Sequence, residues 1–308
     1  MKKIISILLV LLGVQMCYAV KKQTFIYDIA DGDTLRLDLY RAADATKPTP
    51  AVVFAFGGGF ASGSRDYEAY MPMFNYLAHN GVSVISVDYR TLLAGFKPSA
   101  YTSMSPIVDR MINAITCAVS DYFRATGYVL QHAAEWNINP SLIFASGSSA
   151  GAITVLQAEY ELCNTPTGIK GLPADFNFAG VISFAGAIFS EGGLDWKRTP
   201  APMLLFHGDA DSNVPFTEAT ISDDGLYGSE MISKSLTGAG VKHWFHVFKG
   251  VNHYIAIYPM TNCSGEIYDF IRDVSLSQVN MVRTVETVKE GDYKTEFTLQ
   301  DFINANYK

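Results

Sequence analysis

Leu142-Ile143-Phe144-Ala145-Ser146-Gly147-Ser148-Ser149-Ala150-Gly151-Ala152-Ile153 decides how the rest of the chain is to be folded. Leu142 to Ala145 is a short apolar run that predicts a buried strand, and helical spacing resumes over 153–162. Between them, Gly147-Ser148-Ser149-Ala150-Gly151 must turn strand into helix within a few residues. Small neighbours let the backbone at Ser149 take a strained conformation that lifts its hydroxyl clear of the sheet, at the positive end of a helix. A G-x-S-x-G pattern alone arises by chance; its strand–turn–helix setting is what makes Ser149 a candidate nucleophile. Ser146 and Ser148 lack glycines at both offsets. The competing reading is a serine-rich loop at a helix cap.

Working outward, strand-like and helix-like runs alternate. Residues 23–28 and 34–41 predict a hairpin around Asp31-Gly32. Residues 51–56 predict a strand that ends in three glycines, and a helix follows over 67–79, closed by Asn80-Gly81. Val82 to Val87 is a buried strand by its β-branched content. A long helix opens at Ser105-Pro106, where proline suits the first turn. Strands over 178–184, 203–206 and 244–248 follow, with helices near 228–236 and 261–274. Such alternation predicts an α/β fold: a mostly parallel central sheet with helices on both faces and an N-terminal antiparallel hairpin. With no repeat, low-complexity stretch or linker in view, residues 20–308 read as one domain, and the tail 284–308 is too polar for core.

The chain has 308 residues, 49% of them hydrophobic and 17% charged, a composition that builds a core and excludes disorder. A net charge of −7 argues against binding phosphate backbones, so no nucleic-acid partner is expected. Met1-Lys2-Lys3, an apolar run over 4–14 and the triplet Cys17-Tyr18-Ala19 have the layout of a secretory signal peptide over residues 1–19. The apolar run falls short of the roughly 20 residues that span a bilayer, so no stable span is expected once the leader is removed. The expected product is secreted or periplasmic. A lipoprotein anchored through Cys17 is the alternative, with Met16 against it because processing favours a small residue there. Cys117, Cys163 and Cys263 remain; no pair has metal-ligand spacing, and buried, inert thiols are expected.

A serine hydroxyl is a weak nucleophile near neutral pH and needs a base, which needs an orienting acid. Of the six histidines, His79 and His132 belong to helices, His243 and His246 to the last apolar strand, and His207 ends a strand beside Gly208. His253 differs: it follows the final strand in Gly250-Val251-Asn252-His253, on a loop able to return to the sheet's carboxyl edge. The loop His207-Gly208-Asp209-Ala210-Asp211-Ser212-Asn213 offers two carboxylates between serine and histidine. The chain order Ser…Asp…His fits this topology. Attack on a carbonyl also builds charge on oxygen. Phe56-Gly57-Gly58-Gly59-Phe60, directly after a strand, can gather backbone N–H donors, joined by the amide of Ala150. As a phosphate cradle the run lacks both G-x-G-x-x-G spacing and a P-loop lysine.

Together these residues resemble the α/β-hydrolase superfamily, in its carboxylesterase and lipase branch with a GGG-type oxyanion loop. The similarity runs from about Thr34 to Tyr258 and includes Val87-Asp88-Tyr89-Arg90 and Ala134-Glu135-Trp136-Asn137-Ile138-Asn139-Pro140. It implies Ser149 as nucleophile, Asp211 instead of Asp209 as the acid, and His253 as the base. Gly58, Gly59 and Ala150 become the oxyanion donors, with neither metal nor cofactor. One departure is Phe56, which stands where the family's loop begins with histidine. The expected substrates are short-chain or aromatic acyl esters, small or carbohydrate-linked (acetyl or feruloyl). The loops 91–103 and 187–199, with Phe96, Tyr101, Phe189 and Trp196, are expected to flank a fairly open pocket. Two other readings stand beside this one: a serine peptidase of the same superfamily, and an inactive carbohydrate-binding or adhesion module on the same scaffold.

Overall fold

Asp31 and Gly32 both adopt positive φ, 52° and 91°, and this turn folds β1 (Lys22–Ala30) antiparallel onto β2 (Asp33–Tyr40). The sequence anticipated this hairpin because Asp-Gly tolerates two left-handed residues in succession. The structure, a computed structural model, describes residues 20–43, 45–165, 167–221, 224–287 and 297–306. The leader expected over 1–19 therefore lies outside the described residues.

Beyond the hairpin come β3 (Thr49–Ala55), α1 (Met71–His79), β4 (Ser83–Val87), α2 (Ser105–His132), β5 (Ile138–Ser148) and α3 (Ala150–Asn164). Next are β6 (Gly180–Phe184), β7 (Ala187–Glu191), β8 (Met203–Gly208), β9 (Glu218–Ile221), β10 (Asp224–Gly228) and α4 (Ser229–Gly238). The chain continues through β11 (His243–Lys249), α5 (Tyr258–Asn262), α6 (Ser264–Ser275), β12 (Val282–Thr287) and α7 (Leu299–Asn306).

Nine strands form one sheet in the order β1-β2-β4-β3-β5-β6-β8-β11-β12. β2 meets β4 antiparallel; from β4 to β12 every pairing is parallel. α1 packs with α5 and α6, and α2 packs with α3, so helices cover both faces. β4, β6 and β8 are buried throughout, as strands covered on both sides must be, and that is why they read as unbroken apolar runs. Tyr122 and Trp136 are among the largest fully buried side chains.

Three features differ from the sequence reading. The helix expected over 67–79 opens as a 3-10 turn, Glu68–Tyr70, before α1 begins with proline in its first turn. A second, three-stranded sheet, β7-β10-β9, stands apart from the main one. The tail also joins the fold: β12 extends the sheet beside β11, and α7 lies against β9. Its polarity is real, since β12 is an edge strand with mostly exposed residues.

Candidate active site

The strand–turn–helix geometry around Ser149 strains the backbone. Ser149 sits at φ 51°, ψ −117°, between the end of β5 and the first residue of α3. A non-glycine residue in such a region costs about 1–3 kcal/mol and persists only where its surroundings enforce it. Here the enforcement is crowding. A Cβ on Gly147 would come within 2.2 Å of the Gly151 carbonyl oxygen, and one on Gly151 within 2.1 Å of the Ala55 carbonyl oxygen. The Ser149 amide donates to the Phe184 carbonyl at 2.9 Å, pinning the turn to β6.

His253 opens a 3-10 turn, His253–Ala256, beyond β11 and Gly250, whose φ is 69°. Its Nε2 lies 2.7 Å from Ser149 Oγ, and its Nδ1 lies 2.8 Å from Asp211 Oδ2. Serine, histidine and aspartate thus form one hydrogen-bonded series across 104 and 42 residues of sequence. The loops bearing Asp211 and His253 are held together by backbone contacts. Asp209 N–H donates to Phe248 O and Ala210 N–H to Val251 O, each at 3.1 Å. A Cβ on Gly208 would meet Val251 O at 2.1 Å, so only glycine permits this approach.

The two carboxylates that the sequence left open have different partners. Asp209 Oδ1 accepts the Gly250 amide at 2.7 Å and ties the two loops together. Asp211, its side chain fully buried, accepts the amides of Asn213 and Val214 on Oδ1 at 2.8 and 3.0 Å. Its Oδ2 faces both His253 and His207, the latter at 3.2 Å. Burial opposes the charge, but His253 foremost, then His207, outweigh it and hold the carboxyl well below the ordinary carboxylate range. His207 also bonds Ser229 Oγ through Nδ1 at 2.8 Å, so its local role includes steadying the acid. The i,i+4 spacing of His207 and Asp211 is the sequence signal for that contact.

Ser149 and His253 open onto a cavity of about 570 Å³ whose walls include Gly57, Gly58, Gly59, Tyr67, Tyr70 and Asn213. Gly58 and Gly59, the expected oxyanion donors, are thus placed beside the serine. Gly58 has φ 133°, and its carbonyl is turned into its own loop, accepting the amides of Ala61 and Ser62 at 3.0 and 3.1 Å. Ala150 is buried and forms no wall; what it offers is its backbone at the start of α3. The flanking residues correct the sequence reading. Phe96 and Tyr101 line a separate surface hollow with Arg110, Trp196 donates to Ser235, and Phe189 lies beside Leu226 in a small apolar pocket. Tyr67, Tyr70 and Ala305 stand at the cavity instead, and no spacing rule pointed to them.

Among the described residues one group could approach a cation: His246, Cys263 and Glu266, whose ligand atoms lie within 4.8 Å of one another. None of them lines the cavity. The fold brings together a cysteine and a histidine that sequence spacing kept apart. The imidazole nitrogens of His246 face Glu266 at 3.1 Å and Glu286 at 3.4 Å, so each already has a carboxylate neighbour. Burial first, then the two glutamates, pushes the Cys263 thiol up to about 12.

A mostly parallel sheet entered by an antiparallel hairpin, with a strained serine at the end of a central strand and the loop histidine bonded to it, is the arrangement of an α/β-hydrolase fold. The comparisons agree. Residues 37–186 match the BD-FAE family profile. Over 117 residues the chain is 30% identical to a probable isoprenylcysteine alpha-carbonyl methylesterase, ICME, of Oryza sativa subsp. japonica, covering 38% of this chain and 23% of that protein. It is 24% identical over 124 residues to Esterase B1 of Culex pipiens, covering 40% of this chain and 21% of that one. The chain therefore spans under a quarter of the length of these curated relatives. Among solved structures it is similar to a thermophilic esterase of Thermogutta terrifontis, Est2, with propionate bound. The TM-score is 0.59 at 22% identity, over 90% of this chain and 98% of that one, a likeness of fold. The chain has the α/β-hydrolase fold. Among its described residues no helix is long and apolar enough to cross a membrane.

Proposed function

We propose that the protein is a serine carboxylic-ester hydrolase working through an acyl-enzyme. The observation that carries this reading is the unbroken Ser149–His253–Asp211 series opening onto a cavity rimmed by glycines. Ser149 Oγ bonds to the ester carbonyl carbon while its proton passes to His253 Nε2. Asp211 fixes the ring so that Nε2 faces the serine, and its negative charge offsets the imidazolium that forms. Amides of Gly58, Gly59 and Ala150 stabilise the oxyanion, each such donor being worth about 3–4 kcal/mol in comparable sites. The carbon–oxygen bond to the alcohol then breaks as His253 returns the proton to the leaving oxygen. Water repeats the sequence and frees the acid.

The substrates proposed are short-chain or aromatic acyl esters, small or linked to carbohydrate. The family match supports this, as do the relatives named as esterases. Tyr67, a flat ring 51% exposed, stands in the wall of the cavity onto which Ser149 and His253 open. Such rings suit stacking against a sugar or an aromatic acyl group. The protein is further proposed to be exported with cleavage after Ala19, and an intact mass beginning at Val20 would support that.

The deciding experiment follows 4-nitrophenyl acetate and butyrate with the wild type and Ser149→Ala, alongside mapping of a fluorophosphonate adduct. Turnover that vanishes in the variant and an adduct on Ser149 are expected. Turnover that survives, or a folded wild type that takes no label, would overturn the proposal; the second result would favour the inactive binding module. Faster cleavage of aminoacyl amides than of esters would favour the peptidase.

A further inference from the structure

Away from the cavity, α6, β11 and β12 bring a thiol and two carboxyls around one buried imidazole. His246 stands at the middle of β11, 7% exposed, with its ring stacked on Phe248 at 4.2 Å and the two planes 1° apart. That packing fixes which way each nitrogen points. Nδ1 lies 3.1 Å from Glu266 Oε2. Nε2, shut away from water, lies 3.4 Å from Glu286 Oε2 without an aligned hydrogen bond. β12 runs parallel to β11 with Thr284 opposite His246, and Glu286, two residues on, returns to the same face.

Cys263 and Glu266 reach this imidazole from the start of α6. Cys263 caps the helix and Glu266 falls in its first turn, three residues later, so the two side chains share one face. The backbone there is held on both sides: the Cys263 amide donates to Pro259 O at 2.8 Å, and its carbonyl accepts the Ile267 amide at 3.0 Å. One ligand atom from each of His246, Cys263 and Glu266 falls within 4.8 Å of the other two. Zinc bonds of about 2.0–2.3 Å set tetrahedral ligands roughly 3.4–3.6 Å apart. The imidazole–carboxylate edge is already close to that spacing. The sulfur has little more than about 1 Å to close, which a change of χ1 provides. Cys263 and Glu266 are both partly exposed, so an ion has a path in from solvent.

We propose that His246 Nδ1, Cys263 Sγ and Glu266 bind a divalent metal ion of the zinc class, fastening α6 to the last strands of the sheet. Glu286 supports the ring from behind through Nε2, as carboxylates do at histidine metal ligands. Thiolate with imidazole selects zinc over magnesium or calcium, which take oxygen donors. The thiol proton passes to solvent as the sulfur–metal bond forms, and nothing is oxidised or reduced. No member of the triad takes part, so the proposal stands apart from the ester-hydrolase reading.

The test uses the full chain, stripped with a chelator and titrated with Zn²⁺ or Co²⁺. One equivalent should bind, with half-saturation at about 10 μM Zn²⁺ or below, since three protein donors hold an ion less tightly than four. Cobalt should give the intense visible absorption of a tetrahedral site and a sulfur-to-metal charge-transfer band. Saturating Zn²⁺ should raise the Tm by about 3 °C or more. Cys263→Ser should abolish the charge-transfer band, and both it and Glu266→Gln should weaken Zn²⁺ binding at least about tenfold. Glu266→Gln keeps the test open if Cys263→Ser does not fold. A chain that binds neither ion below about 1 mM, cobalt bound without the sulfur band, or wild-type affinity in Glu266→Gln would each overturn the proposal.

Discussion

Asp211 satisfies four donors from a fully buried position, and its two oxygens divide the work: Oδ1 takes the backbone of its own loop, Oδ2 the imidazoles. Asp211→Asn keeps the shape but lets the amide favour the wrong imidazole tautomer. A loss of about 10⁴ in kcat is expected, measured on any ester the wild type turns over. Stability should respond as well. A carboxyl held low in the folded chain favours folding above the ordinary pKa, about 3.9, and the benefit is lost as pH falls through the folded value. Urea titrations should therefore show the wild type losing its advantage over Asp211→Asn below about pH 4.

Glu159 has the opposite sign. Burial dominates over the Ala201 amide at 2.7 Å and the Cys163 thiol, raising its pKa from 4.5 to about 7. The folded chain then holds a proton that the unfolded chain has released, so stability falls as pH rises through that window and levels off above it. Relative to Glu159→Gln, the wild type should lose about 3 kcal/mol between pH 5 and pH 8, read from denaturant midpoints.

At the scale of elements, α7 carries the most direct consequence. Thr298 and Asp301 cap it reciprocally: the Thr298 amide donates to Asp301 Oδ2 at 2.9 Å, and the Asp301 amide to Thr298 Oγ1 at 3.2 Å. From this helix Ala305 reaches the cavity wall. Thr298→Ala should weaken the helix by about 1 kcal/mol, seen as faster proteolysis of the tail. Ala305→Trp should lower kcat/KM for a bulky aromatic acyl ester by about tenfold or more relative to acetate, since a filled pocket discriminates by size.

Across the whole molecule, Arg90 links the hairpin to α2. Its guanidinium meets the fully buried Asp121 at 2.8 and 2.9 Å and also pairs with Asp31 in the β1–β2 turn. Arg90→Ala would take the guanidinium from Asp121 and leave it Arg124 at 3.3 Å, the backbone amide of position 90 at 3.0 Å and the Cys117 thiol at 3.9 Å, and should cost about 3–5 kcal/mol in chemical denaturation.

At the same scale, what was legible in the sequence follows one rule: contacts made within a few residues, or repeated along a period, leave a trace. The buried strands, the Asp31-Gly32 turn and the Ser149 turn are of that kind. The His253–Ser149 contact could be inferred only because chain order on this topology is restrictive. The walls of the cavity were not legible, because Tyr67, Tyr70 and Ala305 meet there through long-range packing that no local pattern encodes. Phe96 and Tyr101 misled because aromatic loops after a strand look like pocket walls, while these two sit beside Arg110, 5.7 and 5.9 Å from their rings. The edge strand β12 was hidden by its polarity, since one exposed side removes the apolar run that marks a strand.

The long separation between Ser149 and His253 also bears on synthesis and transit. A ribosome releases the serine well before the imidazole that would activate it, and until β11 docks beside β8 the hydroxyl has no proton acceptor within reach. On the proposed reaction an emerging or unravelled polypeptide would be chemically quiet, and reactivity would arrive only once β11 has docked.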